Sequence, residues 1–151
     1  MFLKLKSFLR NMSVFSNPLF QTILLAGVGA QLLKIVLFYT RTKRIHLLDI
    51  VATGGMPSSH SALLAGLTTA IYLNERLTTA FFVALALTSV VIIDAFGVRR
   101  TAGEEGQILH RLIAKAKLNI REPHYSLGHT PLEVFVGVLF GIVAALIVVG
   151  I

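Results

Sequence analysis

Residues 54–73 read GGMPSSHSALLAGLTTAIYL, a polar, turn-rich opening that passes directly into an apolar run. The apolar part, Ser61–Leu73, is too short to cross a bilayer, whose hydrocarbon core of about 30 Å takes roughly 20 helical residues. It reaches that thickness only if the helix starts back at Pro57–Ser59, which sets the polar knot at or slightly inside the membrane surface. Irregular backbone is tolerated at that depth only where protein or a watery cavity surrounds it. The stretch therefore reads as a membrane helix opening on a polar pocket.

The flanking sequence agrees. Pro18–Phe38, Leu77–Val98 and Pro131–Ile151 are apolar runs of about 20 residues, long enough to span. Of the 151 residues, 55% are hydrophobic and only 14% charged, whereas roughly a quarter of a soluble domain is charged. The expectation is an all-α integral membrane bundle, a single domain with about four spans near 18–38, 57–74, 77–98 and 131–151. The first run carries Gln21, Gln31 and Lys34 and is followed by no small-residue cleavage pattern, so it is expected to stay in the mature chain. With no cysteine in the sequence, disulfides and thiolate metal sites are excluded.

Two segments outside the spans have interfacial character. Residues 1–16 alternate Lys4, Lys6 and Arg10 with Phe2, Leu5, Phe8 and Leu9, which fits an amphipathic helix on the membrane surface or a flexible basic tail. Ile108, Leu109, Leu112, Ile113 and Ala116 recur at helical spacing among Arg111, Lys115 and Lys117, a second surface helix inside a 99–130 segment otherwise read as a site loop. The net charge of +7 lies in loops beside spans, where it meets anionic headgroups more simply than nucleic acid. Segments 40–59 and 99–131 hold nine Lys/Arg against four on the opposite side, so the positive-inside rule places the knot on the cytoplasmic face. Ala62, Gly66 and Ala70, and Gly137 with Gly141, are small residues at four-residue spacing, which permits close helix approach in lipid.

Chemistry concentrates at two helix starts. In the knot, Ser58 or Ser59 can cap the helix, and the free N–H groups of the first turn can receive an anion. Gly54 and Gly55 let backbone come close to that anion, and His60 projects from the same turn. A well-capped helix with an interfacial histidine explains the pattern equally. Downstream, Thr130, Pro131 and Glu133 form a T-x-x-E capping box with proline first in the helix, which accounts for Thr130 and Glu133 structurally. His129, just ahead of that cap, is left unexplained, and Glu133 can alternatively hold its ring. Two histidines are what phosphomonoester hydrolysis through a covalent intermediate needs, one attacking phosphorus and one protonating the leaving alkoxide. Lys34 near the end of the first span, and Arg99 and Arg100 beyond Asp94, are candidate phosphate ligands; snorkelling of Lys34 and an Asp94–arginine pair closing a helix end are the structural alternatives. No spacing such as HExxH points to a metal.

Three blocks, GGMPSSHSA (54–62), DAFGVRRTAGE (94–104) and LGHTPLEV (127–134), together resemble the divergent branch of the type 2 phosphatidic acid phosphatase and vanadium haloperoxidase superfamily. The parent blocks are K-x6-R-P, P-S-G-H and S-R-x5-H-x3-D. Here Lys34-x6-Arg41 lacks the proline, Ser59 replaces the glycine before His60, and Glu133 replaces the aspartate after His129. Pro123 stands where the arginine of the third block is expected.

The resemblance implies a metal-independent, cofactor-free lipid-phosphate phosphatase, with His129 as nucleophile, Glu133 orienting it and His60 as acid. Lys34, Arg41, Arg99 and Arg100 would then hold phosphate with help from Gly55, Ser58 and Ser59, and Asp94 would play a supporting part. The implied partners are a phosphorylated lipid and the surrounding membrane lipids, not nucleic acid, with homo-oligomerisation left open. The competing expectation is a protein that binds or transports such lipids without hydrolysing them.

Overall fold

The structure is a computed structural model that describes residues 14–43, 55–118, 120 and 128–150. The proposed N-terminal surface segment falls almost wholly outside these residues. Five helices are present among them: α1 (Pro18–Thr42), α2 (Ser59–Glu75), α3 (Thr79–Phe96), α4 (Val98–Ala116) and α5 (Pro131–Val149).

Local chemistry sets the helix starts. Asn17 Oδ1 accepts the Leu19 amide ahead of α1, with Pro18 at its first position. Ser58 caps α2 and Thr78 caps α3 by accepting the Ser61 and Phe81 amides. At α5 the full capping box forms: Thr130 Oγ1 accepts from the Glu133 amide, and Glu133 Oε2 accepts from the Thr130 amide. Such caps satisfy amide groups that have no partner within the helix.

Among the described residues, three segments are long and apolar enough to cross a membrane: α1, α3 running on into α4, and α5. The fourth helix, α2, has 17 residues, about 26 Å at 1.5 Å per residue. It is the central helix, packed against α1, α3 and α5.

The distribution of side chains is inside-out relative to a soluble bundle. Leu24, Val28, Leu32 and Val36 on α1, and Phe135, Leu139, Val143 and Ile147 on α5, form outward stripes at four-residue spacing. The interior is small: Ala26, Ala30, Ala62, Ala65, Ala70, Ala144 and Ala145 are buried. Large apolar residues facing out and small ones facing in is the arrangement of a lipid-embedded bundle, where close backbone packing replaces the hydrophobic drive. Thr88 Oγ1 joins α3 to α2 in the interior, 2.9 Å from Thr68 Oγ1 and 3.2 Å from the Leu64 carbonyl oxygen.

The small-residue motifs make the tightest contact. A Cβ on Gly137 would lie 2.5 Å from the Ser58 carbonyl oxygen, and one on Gly141 would collide with the Ala62 carbonyl. Since 58 faces 137 and 62 faces 141, α2 and α5 run parallel, with both N-termini at one end of the bundle. Gly66 meets Thr22 and Ala26 of α1 while Gly55 meets Lys34, so α1 runs antiparallel and brings its C-terminal end to the same place.

Residues 99–107, read from sequence as loop, are helical. Only Gly97 separates α3 from α4, and the helix resumes at Val98. Arg100 and Glu104, one turn apart, pair at 3.0 Å along this segment. The expected surface helix is therefore about ten residues longer at its start than its apolar residues indicate. Its exposed Ile108, Leu109 and Leu112 lie on one side of the helix, as a surface-bound helix requires.

Candidate active site

The polar end of the bundle collects the C-terminal part of α1, the knot and start of α2, the α3–α4 joint and the start of α5. Lys34 enters from α1 and is 8% exposed. Its aliphatic stem runs beside Gly55, 3.8 Å from where a Cβ would stand, and Gly55 has φ +83°. Both observations favour glycine: a side chain would strain the backbone and crowd the lysine.

The next residues lock α2 to α5. The Met56–Pro57 peptide is cis. Ser58 is fully buried, its Oγ 3.0 Å from Ser61 Oγ and its amide donating to the Glu133 carbonyl at 3.0 Å. Ser58, read from the sequence both as a cap and as a phosphate contact, caps α2 with its hydroxyl and uses its amide in the α5 contact. Ser59 is half-buried and His60 exposed beside it. The charges of Arg99, Lys34 and Asp94 all act on His60.

His129 is held by its backbone and by its ring. Its amide donates to the Ala95 carbonyl at the end of α3 at 3.0 Å, and the residue is 4% exposed. Its Nδ1 lies 3.3 Å from Glu133 Oε2, the same oxygen that accepts the Thr130 amide at 2.9 Å. The capping and ring-holding roles of Glu133, alternatives in the sequence, are thus filled together by one carboxylate oxygen. Burial lowers the His129 pKa below the ordinary imidazole value. Lys34 and His60 push in the same direction, against the hydrogen bond and charge of Glu133. A neutral ring bonded through Nδ1–H to a carboxylate presents the Nε2 lone pair, the nucleophilic form of histidine.

The arginines are paired. Arg99 Nε donates to Asp94 Oδ2 at 2.8 Å, and Arg100 Nε to Glu104 Oε1 at 3.0 Å, with all four side chains substantially exposed. The Asp94 pair foreseen as a structural alternative is present, and it leaves the outer nitrogens of the Arg99 fork for another acceptor. Arg41 lies in the last turn of α1; its side chain and Pro123 lie outside the described residues. Among the described residues no cluster of His, Cys, Asp or Glu is arranged to hold a metal.

Three contributors carried little sequence signal. The Ala95 carbonyl is one. Glu104 is another, traceable only by its four-residue spacing from Arg100. The third is Gly128, where a Cβ would stand 2.5 Å from the Arg100 amide nitrogen. Glycine there lets the segment entering α5 lie against the start of α4, which fixes His129 near Arg99 and Arg100.

An inside-out helical bundle with a buried lysine, a buried histidine and an exposed histidine toward one polar end defines an integral membrane protein. The profile of the Divergent PAP2 family matches residues 15–144, and the chain belongs to that family. The uncharacterised membrane protein YuiD of Bacillus subtilis (strain 168) is 32% identical over 152 aligned positions, covering 90% of this chain and 96% of YuiD. No solved structure matches the chain.

Proposed function

We propose that this protein is a membrane phosphatase that removes the phosphate of a lipid phosphomonoester without a metal, through a phosphohistidine. The observation that carries the reading is the buried His129 bonded through Nδ1 to Glu133 while the charges of His60 and Lys34 bear on the same ring. Two histidines thus start neighbouring helices at one end of the bundle, one of them held by a carboxylate, as a nucleophile and acid pair requires.

In this reading the His129 Nε2 lone pair attacks phosphorus and the P–O bond to the lipid breaks, its electron pair leaving with the oxygen. Protonated His60 gives that oxygen its proton, releasing the lipid alcohol. Glu133 holds the Nδ1 proton of His129 and stabilises the positive charge that develops on the ring. A water molecule then attacks the phosphohistidine, the N–P bond breaks, and neutral His60 takes the water proton, so both histidines return to their starting states. Lys34 supplies fixed positive charge at the phosphate oxygens, joined by the unpaired part of the Arg99 fork and by Arg41. The pocket faces the cytoplasm in this proposal, on the positive-inside argument.

The test is phosphate release by the purified protein, in detergent with chelator, from phosphatidate, phosphatidylglycerol phosphate and polyprenyl phosphates. Release by the wild type and its loss in folded His129→Ala and His60→Ala variants is the expected result. Lipid binding without release from any of these substrates would replace the phosphatase with a binder or transporter built on the same pocket.

A further inference from the structure

Beside the polar end, α1 and α2 leave a groove of about 480 Å³ open toward the lipid. Its walls are apolar, formed by Ile23, Leu24, Gly27 and Val28 of α1 and Leu63 of α2. One end is polar and consists of Gln31, Ser59 and His60. From Gln31 to Ile23 is eight residues of α1, roughly 12 Å along the helix. Lys34 follows one turn beyond Gln31 and is 8% exposed. The groove thus has a polar end beside a buried lysine and is apolar along its length.

We propose that this groove holds the hydrocarbon tail of the phosphorylated lipid, laid along α1 while its phosphate lies at the histidines. The assignment rests on the phosphatase reading and names the part of the substrate that the chemistry leaves unspecified. An anionic head on an apolar chain is the one ligand shape that complements both ends. Direction follows as well. In a lipid phosphomonoester the leaving oxygen is the atom joined to the tail, and His60, the residue assigned to protonate it, stands at the mouth of the groove. His129 is reached from the opposite side of the phosphorus.

Access needs no passage through water. Leu24 and Val28 are 44% and 53% exposed on the lipid side, so a tail enters sideways from the bilayer. Gly27 forms the floor: a Cβ there would stand 3.1 Å from Leu63 Cδ1. Because bilayer tails are already in an apolar medium, the groove adds little affinity by excluding water. Its contribution is register, holding the ester bond between the two histidines.

The experiment uses the full-length protein in nanodiscs with a phosphatidate that carries a photoactivatable diazirine in its acyl chain, followed by peptide mapping. Labelling is expected on Ile23–Val28 and around Leu63, competed by unlabelled long-chain phosphatidate and not by glycerol phosphate. Val28→Trp, and Leu24→Trp as a second variant in case the first misfolds, should cut that labelling about tenfold, the size of effect expected when a bulky side chain occupies the tail's path. Val143→Trp, on the outer face of α5, is the control and should leave it unchanged. Labels spread evenly over all lipid-facing helices, or groove labelling indifferent to Val28→Trp and Leu24→Trp, would overturn the assignment. Labelling does not need turnover, so the two readings fail separately. Groove labelling without phosphate release keeps the tail site and removes the phosphatase; phosphate release with scattered labels does the reverse.

Discussion

The starts of α2 and α5 are built from the same parts and end in different states. Each has a hydroxyl cap, Ser58 or Thr130, a proline beside it and a histidine close by, and the two run parallel and touch where Gly137 meets Ser58. His129 precedes its cap, is nearly inaccessible and is gripped by Glu133 and Ala95. His60 follows its cap, is exposed and opens on the apolar groove between α1 and α2. His129 stands one residue before its cap and His60 two residues after, and this difference in position separates a fixed histidine from an accessible one. A nucleophile benefits from a fixed ring, because its attack geometry is narrow; an acid that must follow a departing lipid oxygen benefits from access.

The comparison breaks most sharply at the two rings. His129→Ala should reduce phosphate release by on the order of 10⁴-fold or more, since the covalent route disappears. The fold should survive, because the bond from residue 129 to Ala95 is made by the backbone amide. His60→Ala should cost about 10²–10⁴-fold with alkyl phosphates, the usual range for a general acid. An aryl phosphate, whose leaving group needs no proton, should restore most of the His60→Ala rate and none of the His129→Ala rate. Equal recovery in both variants would erase the distinction between the two histidines.

How much of this was legible in sequence depends on what carries the information. α1, α3 and α5 are written as long apolar runs, and the α5 cap is visible in Thr130, Pro131 and Glu133. The start of α4 was not visible, because residues 99–107 have no apolar stripe and their helix shows only in charged spacing such as Arg100 to Glu104. The candidate site residues could be named from the sequence, but what orients them was hidden. The Ser58 amide meets the Glu133 carbonyl, and the His129 amide meets the Ala95 carbonyl. Bonds between distant backbone groups leave no side-chain signature. Only glycines mark them, Gly137 at the first contact and Gly128 near the second, and a glycine states that something is close without stating what.

The joint between the two helix starts can be tested directly. Gly137→Ala places a Cβ against the Ser58 carbonyl, 2.5 Å away, so α2 and α5 must separate slightly. A shift of this kind moves the two histidines apart, and a misplacement near 1 Å costs about 10²-fold in rate. Lipid phosphate binding should fall much less, because Lys34 stays on α1. Unchanged turnover in a folded Gly137→Ala protein would mean that the spacing of the helix starts does not set the rate.

The smallest effect isolates what grips His129. Glu133→Gln keeps a side chain that can complete the capping box, so stability should change little, while the charge-assisted bond to Nδ1 is lost, worth about 1.5 kcal/mol or roughly tenfold in kcat/KM. Its pH signature separates orientation from mere structure. In the wild type burial leads the lowering of the His129 pKa and Glu133 opposes it, so the acid limb of activity lies below the ordinary value of about 6.5. Removing the opposing carboxylate lowers the pKa further, and the acid limb of Glu133→Gln should move to still lower pH. Stability follows the same sign: between the folded and unfolded pKa values the unfolded chain binds more protons, so acidification through that window destabilises the protein. An acid limb that moves upward in Glu133→Gln, or a rate loss with no movement at all, would detach Glu133 from the ring and leave it only the cap of α5.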